Sequence, residues 1–188
     1  MAKDKVQEEK EKPKSEFYFS APEYKLGDPL LPGEEVPSCV GKCYKDFKIN
    51  SISSASLKGR PFVVFFYPQD FTDCSEKVFG LIADMKASKE VDLDYIAIST
   101  DSIESHQTYA ETRALGAPEA ALVSDKNGNI SRSFGVLDAK THMAYNSLFL
   151  VDKHGVVQGS RVYANKRVPV VQSGMEDIVD TVLDSLKE

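Results

Sequence analysis

The chain has 188 residues, 41% of them hydrophobic and 28% charged, with a formal net charge of −6. That is enough for one soluble domain with a sizeable core and a modest appendage, and an acidic balance without a long basic run argues against a nucleic-acid partner. No apolar run approaches the roughly 18 residues a membrane span needs, and the start "MAKDKVQEEKEKPKSE" has no apolar leader stretch, so no membrane association and a cytoplasmic location are expected.

Residues 1–16 hold five Lys and five Asp/Glu, with Val6 the only sizeable apolar residue after Met1. Such a segment buries too little surface to offset chain entropy and is expected to be a disordered tail. Residues 17–39 differ: Phe17, Tyr18, Phe19 and Tyr24 mix with Pro22, Pro29, Pro32 and Pro37. Proline fixes φ and removes a donor, which predicts an extended arm, packed on its own domain or docked on a protein partner.

The globular domain is assigned to residues 40–188. "FKINSI" alternates Phe47, Ile49 and, after a slip, Ile52, predicting a half-buried strand. "PFVVFFY" (61–67) is continuously apolar, the signature of a central strand covered on both faces; "DLDYIAIST" (92–100) and "NSLFLVD" (146–152) are two more. Turn chemistry at 152–155 sends "VVQGSRVYA" back as a hairpin strand. Helices are predicted over 75–89 and 102–114. A third follows Ser173 as N-cap, with Met175, Ile178, Val179, Val182, Leu183 and Leu186 at helical spacing. The sequon Asn129-Ile130-Ser131 is read as a turn. Strands alternating with helices predict an α/β domain with an added antiparallel hairpin.

Several segments, in order, resemble the peroxiredoxins, specifically the alkyl hydroperoxide reductase/thiol-specific antioxidant branch. They are "VGK" (40–42) with "DF" (46–47), "KGRPFVVFFYPQDFT" (58–72), "IAISTDS" (96–102), "LVSDKNGNISRSFGVL" (122–137) and "SLFLVDKHGVV" (147–157). The resemblance implies a thioredoxin-like fold, a central mixed β-sheet flanked by helices. It also implies peroxide reduction by a cysteine thiolate. A free thiol has a pKa of roughly 8.5, so the nucleophile must be activated by a helix N-terminus and a nearby cation. In the family the loop reads P-x-x-x-T-x-x-C, with an arginine that stabilises the thiolate and polarises the leaving oxygen.

Pro68 and Thr72 match that loop, but the next position in the spacing is Ser75, and Cys74 stands one place early. Counting back from "STDS" lands instead on Cys74. Either the turn after Thr72 or the helix and its exit loop is one residue short, or Ser75 replaces an original cysteine. Loop lengths vary more readily than an active-site turn, which favours Ser75 in the cysteine position. A hydroxyl there is not ionised and cannot perform thiol redox chemistry. Asp73 and Glu76 flank Cys74 and oppose a thiolate. The resemblance places Asn146 at the arginine position, and Gln172 at a second arginine position ahead of the last helix.

Cys39 and Cys43 are read as ordinary thiols near a strand entry, with an atypical resolving role as the alternative. They are too few for a zinc site, and neither metal nor cofactor is expected. No cysteine follows the predicted last helix through Glu188. His106, His142 and His154 are read as surface or turn residues. Two functions are open. One is a peroxiredoxin-fold protein with a degenerate site, serving as a binding or structural component. The other is a thiol peroxidase using Cys74 with thioredoxin or glutathione as reductant. A homodimer is expected by analogy with the family alone.

Overall fold

The computed structural model describes residues 27–88, 93–113 and 120–163. The charged tail, residues 17–26 of the arm, Gln172, Ser173 and the predicted last helix lie outside the described residues.

The strands are β1 (Val40–Lys45), β2 (Lys48–Ser53), β3 (Phe62–Phe66), β4 (Asp94–Ser99), β5 (Ala121–Ser124), β6 (Leu137–Asp138), β7 (Met143–Ala144), β8 (Ser147–Val151) and β9 (Val157–Val162). The helices are α1 (Asp73–Ser88), α2 (Ile103–Thr112) and α3 (Asn129–Ser133). Seven strands form one sheet in the order β2-β1-β5-β4-β3-β8-β9. β3, β4 and β5 run parallel, and the outer pairs are antiparallel. This is the mixed sheet flanked by helices that the segment order predicts.

β3 lies between β4 and β8 and is buried along its whole length, so its continuous apolar run has a face to fill on each side. Because side chains alternate along a strand, Val63 and Phe65 enter one core layer with Val78, Phe79 and Ile82 of α1 and Tyr109 of α2. Phe62, Val64 and Phe66 enter the other, with Ile130 and Phe134 at α3. There Phe66, Phe134 and Phe149 pack with ring centroids 5.0 to 5.9 Å apart, tilted or edge-on as the ring quadrupoles favour.

Two local expectations change. "FKINSI" is not half-buried: β2 is the edge strand, Phe47 and Ile49 are 63% and 49% exposed, and Asp46 and Phe47 form the hairpin turn with φ of 52° and 59°. The alternation was real, but among the described residues no second layer covers that edge. Residues 129–131 are not a turn but open α3, where the Asp125 carboxylate accepts from Ile130 N, Ser131 N and Ser131 Oγ. A carboxylate answering two free amides of a helix start is enough to hold so short a helix.

The described part of the arm, residues 27–39, lies against its own domain. Gly33 N donates to Val157 O, Val36 N to Gly155 O, and Val157 N to Glu34 O, at 2.8 to 2.9 Å. Leu30, Val36 and Cys39 pack on the layer containing Phe134.

Candidate active site

β3 delivers the chain to the site, and Tyr67 N extends its pairing by donating to Ile98 O at 3.0 Å. Residues 68–72 then form a loop in which Pro68 and Asp70 are buried and Phe71 is exposed. Phe71 has φ of 57°, a left-handed conformation that bulky residues seldom adopt. α1 starts at Asp73, two residues earlier than the periodicity predicts, so Cys74 and Ser75 both fall in its first turn.

Thr72 and Ser75 cap that turn reciprocally. Ser75 N donates to Thr72 Oγ1 at 3.3 Å, and Thr72 N donates to Ser75 Oγ at 3.1 Å. This is a capping box with serine in place of the usual Glu or Gln. The Ser75 hydroxyl proton goes to Thr72 O at 2.7 Å, and Thr72 Oγ1 donates to Gln69 O at 2.9 Å. Ser75 is fully buried.

Cys74, one residue earlier, turns elsewhere. It is buried, at 9% exposure, and its Sγ accepts from Asn146 Nδ2 at 3.5 Å. Asn146 is fully buried at the entry to β8. The structure therefore brings together all five residues singled out by spacing, but splits them. Pro68, Thr72 and Ser75 belong to the loop and its cap, and Cys74 pairs with the Asn146 amide. Asp73 and Glu76 are the acids of the first turn. They suit the positive end of the helix dipole.

The α2 side of the site carries residues that spacing did not find. Tyr109 is buried, and among the described residues its hydroxyl has no hydrogen-bond partner of good geometry. Burial raises its pKa, with Glu76 and Asp70 adding to the rise and the neighbouring Ser75 hydroxyl opposing it. Phe71 meets the Tyr109 ring edge-on at 5.0 Å. Arg113, at the end of α2, lies 5.9 Å from the Phe71 ring centre and pairs with Glu76 at 3.1 Å.

His106 is a correction. It is not a surface residue but fully buried, with Nδ1 3.0 Å from Asp70 Oδ2 and Nε2 3.2 Å from Val123 O. Tyr67 Oη and Ser105 Oγ also donate to the Asp70 carboxylate, at 2.8 and 2.7 Å. Burial acts to raise the Asp70 pKa, but the bonds from His106, Ser105 and Tyr67 outweigh it and leave the group below its ordinary value. Burial, then Asp70, pushes Tyr67 well up, so its hydroxyl stays a donor. A histidine alone in a helical window carries no sequence sign of a partner 36 residues away. His142 and His154 are exposed, as read from the sequence.

Cys39 and Cys43 pack in the core layer on the other face of the sheet from α1. Burial raises both thiols' pKa values, which Ser54 partly offsets at Cys39 and Lys45 at Cys43. A resolving role for either finds no support in that placement. Among the described residues no group of three or more His, Cys, Asp or Glu is placed to hold a metal ion, and no helix is long and apolar enough to cross a membrane.

Comparison with known proteins agrees with this architecture. The family described as "AhpC/TSA family" matches residues 32–160. A probable peroxiredoxin, prdx-3, of Caenorhabditis elegans is 34% identical over 135 residues, 69% of this chain and 60% of the relative. Alkyl hydroperoxide reductase C of Bacillus subtilis is 30% identical over 136 residues, 71% of this chain and 73% of the relative. The chain thus spans less than two thirds of the nematode protein's length. Among solved structures, Enterococcus faecalis AhpC matches with a TM-score of 0.74 and 25% identity, covering 82% of this chain and 92% of that one. The reduced 2-Cys peroxiredoxin of Plasmodium vivax also gives 0.74, at 24% identity and 85% coverage of each chain, which bears on the thioredoxin-like fold alone. With the sheet order, the loop after β3 and the matched span in agreement, the chain belongs to the AhpC/TSA family, the peroxiredoxins.

Proposed function

We propose that this chain is a peroxiredoxin-fold protein whose peroxidase activity is impaired or absent, and that it acts as a binding or structural component of an assembly. The observation that carries this reading is the Thr72–Ser75 capping box, in which a hydroxyl occupies the family's sulfur position. The neutral Asn146 amide at the arginine position supports it. By analogy with oxyanion-hole donors, one lost preorganised group costs on the order of 10²- to 10³-fold in rate. The aromatic and proline-rich arm, beyond the part that packs on the domain, is the segment suited to a protein partner.

A second reading has its own support. Cys74 lies in the first turn of a long helix and receives a hydrogen bond from Asn146. In that reading the thiolate attacks one peroxide oxygen and the O–O bond breaks. The sulfur becomes a sulfenic acid, and the other oxygen leaves as water or alcohol after protonation. An external thiol, thioredoxin or glutathione, supplies the two electrons that restore it. Two of the relatives carry names of this kind: the thioredoxin peroxidase of Fasciola hepatica and the human mitochondrial thioredoxin-dependent peroxide reductase.

Intact-mass measurement after one equivalent of hydrogen peroxide separates the two. The expected result is no oxygen addition over minutes, with Ser75→Cys gaining oxidation at residue 75. Asn146→Arg added to Ser75→Cys is expected to raise that rate by about 10²- to 10³-fold. Rapid, selective oxidation of Cys74 in the unaltered protein overturns the degenerate reading and establishes the second.

A further inference from the structure

The buried cluster behind the loop makes no use of either candidate nucleophile. Asp70 is 3% exposed and His106 fully buried, and together they tie the loop to most of its surroundings. The Asp70 carboxylate accepts from Tyr67 Oη at the end of β3, and from His106 and Ser105 of α2. The Asp70 amide donates to Asp101 Oδ2 at 2.8 Å, and that carboxylate is itself held by Ser99 Oγ at 2.7 Å at the end of β4. The other nitrogen of His106 reaches Val123 O in β5. Each ring nitrogen therefore faces an oxygen, one of the Asp70 carboxylate and one of the Val123 carbonyl.

A buried polar pair is a poor way to gain stability, since apolar residues of similar volume often serve as well. What such a pair supplies is direction: each atom has one partner in one place. The loop needs that direction. Phe71, the next residue, is held in a left-handed conformation, which persists only where surrounding structure over-determines it. Thr72 follows, and its amide and hydroxyl set the cap that turns Ser75 inward.

We propose that Asp70 and His106 are positioning residues: a buried clamp between the loop and α2 that holds the Thr72–Ser75 cap in register and keeps the Cys74 sulfur covered against Asn146. Neither residue touches a substrate in this role. The inference goes beyond the functional reading above and holds for either reading of the site.

The three cysteines provide the test without any enzymatic assay. Iodoacetamide labelling of the full chain, followed by peptide mass, reads Cys74 beside the clamp, with Cys39 and Cys43 on the far face as internal references. In Asp70→Asn and in His106→Gln, Cys74 is expected to react at least about tenfold faster relative to the two references, because local opening of the loop no longer requires breaking the pair. Ser105→Ala removes one donor to Asp70 and keeps the pair, so it is expected to shift the same ratio in the same direction by less. Should the pair variants fail to fold, Ser105→Ala decides the matter alone. An unchanged ratio overturns the proposal, as does a rise shared equally by all three cysteines, since either assigns the pair to global stability only.

Discussion

α1 and α2 start alike and use their first turns differently. Each carries a hydroxyl residue just ahead of the helix, Thr72 or Ser102, and a serine at the third helical position, Ser75 or Ser105. In both, the leading hydroxyl accepts the serine amide, at 3.3 and 3.2 Å. The serine side chains then part. Ser75 turns back on Thr72 and closes its own cap, whereas Ser105 reaches out to Asp70 in the loop ahead of the other helix. The second position differs too. Glu104 in α2 keeps a lowered pKa, chiefly through its own backbone amide and the Ser102 hydroxyl. That is the anion stabilisation a peroxidatic thiolate would need. Cys74 holds the same helical position in α1 but directs its sulfur to Asn146. A helix start favours an anion only if the side chain turns toward it.

The largest expected effect falls on the link between the two helices. Asp70→Ala leaves His106 without its carboxylate and two hydroxyls without their acceptor. Breaking a buried pair in this way is expected to cost about 3–5 kcal/mol of stability, measured by urea unfolding. Loss of under about 1 kcal/mol would mean that water or a neighbouring group replaces the carboxylate at little cost.

The same carboxylate gives the link a pH dependence. Its folded-state pKa lies below the ordinary 3.8, so above that value both folded and unfolded states are ionised and the contribution is complete. As pH falls through 3.8, the unfolded chain takes up the proton first. Stability therefore drops until the folded carboxyl titrates as well. Urea midpoints taken above and below this value should show a steeper acid loss in the unaltered protein than in Asp70→Asn. Parallel profiles would remove Asp70 from the acid response.

The smallest effects separate the caps themselves. Thr72→Ala and Ser102→Ala are each expected to cost about 1 kcal/mol, within the 0.5–2 range for cap loss. Only Thr72→Ala should also alter Cys74 labelling, because only that cap loses a hydroxyl that holds the helix start at Cys74, through Ser75 N and Gln69 O. Equal changes in labelling from both variants would mean that the two helix starts are not distinct in the way their geometry indicates.

Legibility in the sequence follows from the range of each interaction. β3, β4 and β8 could be read because a strand buried on both faces must be apolar throughout. β5 could not, since four residues make too short a run to stand out. β2 misled because alternation reports a possible face, and only the assembled sheet decides whether anything covers it. At the site, Pro68, Thr72, Cys74, Ser75 and Asn146 were singled out through the family's loop spacing and the segment before β8. Asp70 and His106 were not, because a lone acid in a loop and a lone histidine on a helix carry no pattern until α2 is laid beside the loop.

The sequence by itself determined the layered α/β domain, the family and the ambiguity between residues 74 and 75. These rest on hydrophobic runs and short spacings, which act between neighbours. Tertiary structure decided where each of the two side chains points: Ser75 into a reciprocal cap with Thr72, Cys74 onto Asn146. That choice depends on the exact start of α1, and the start is held by a loop whose carboxylate is gripped from β3 and α2. Contacts between residues so distant along the chain set an angle that no local preference could supply.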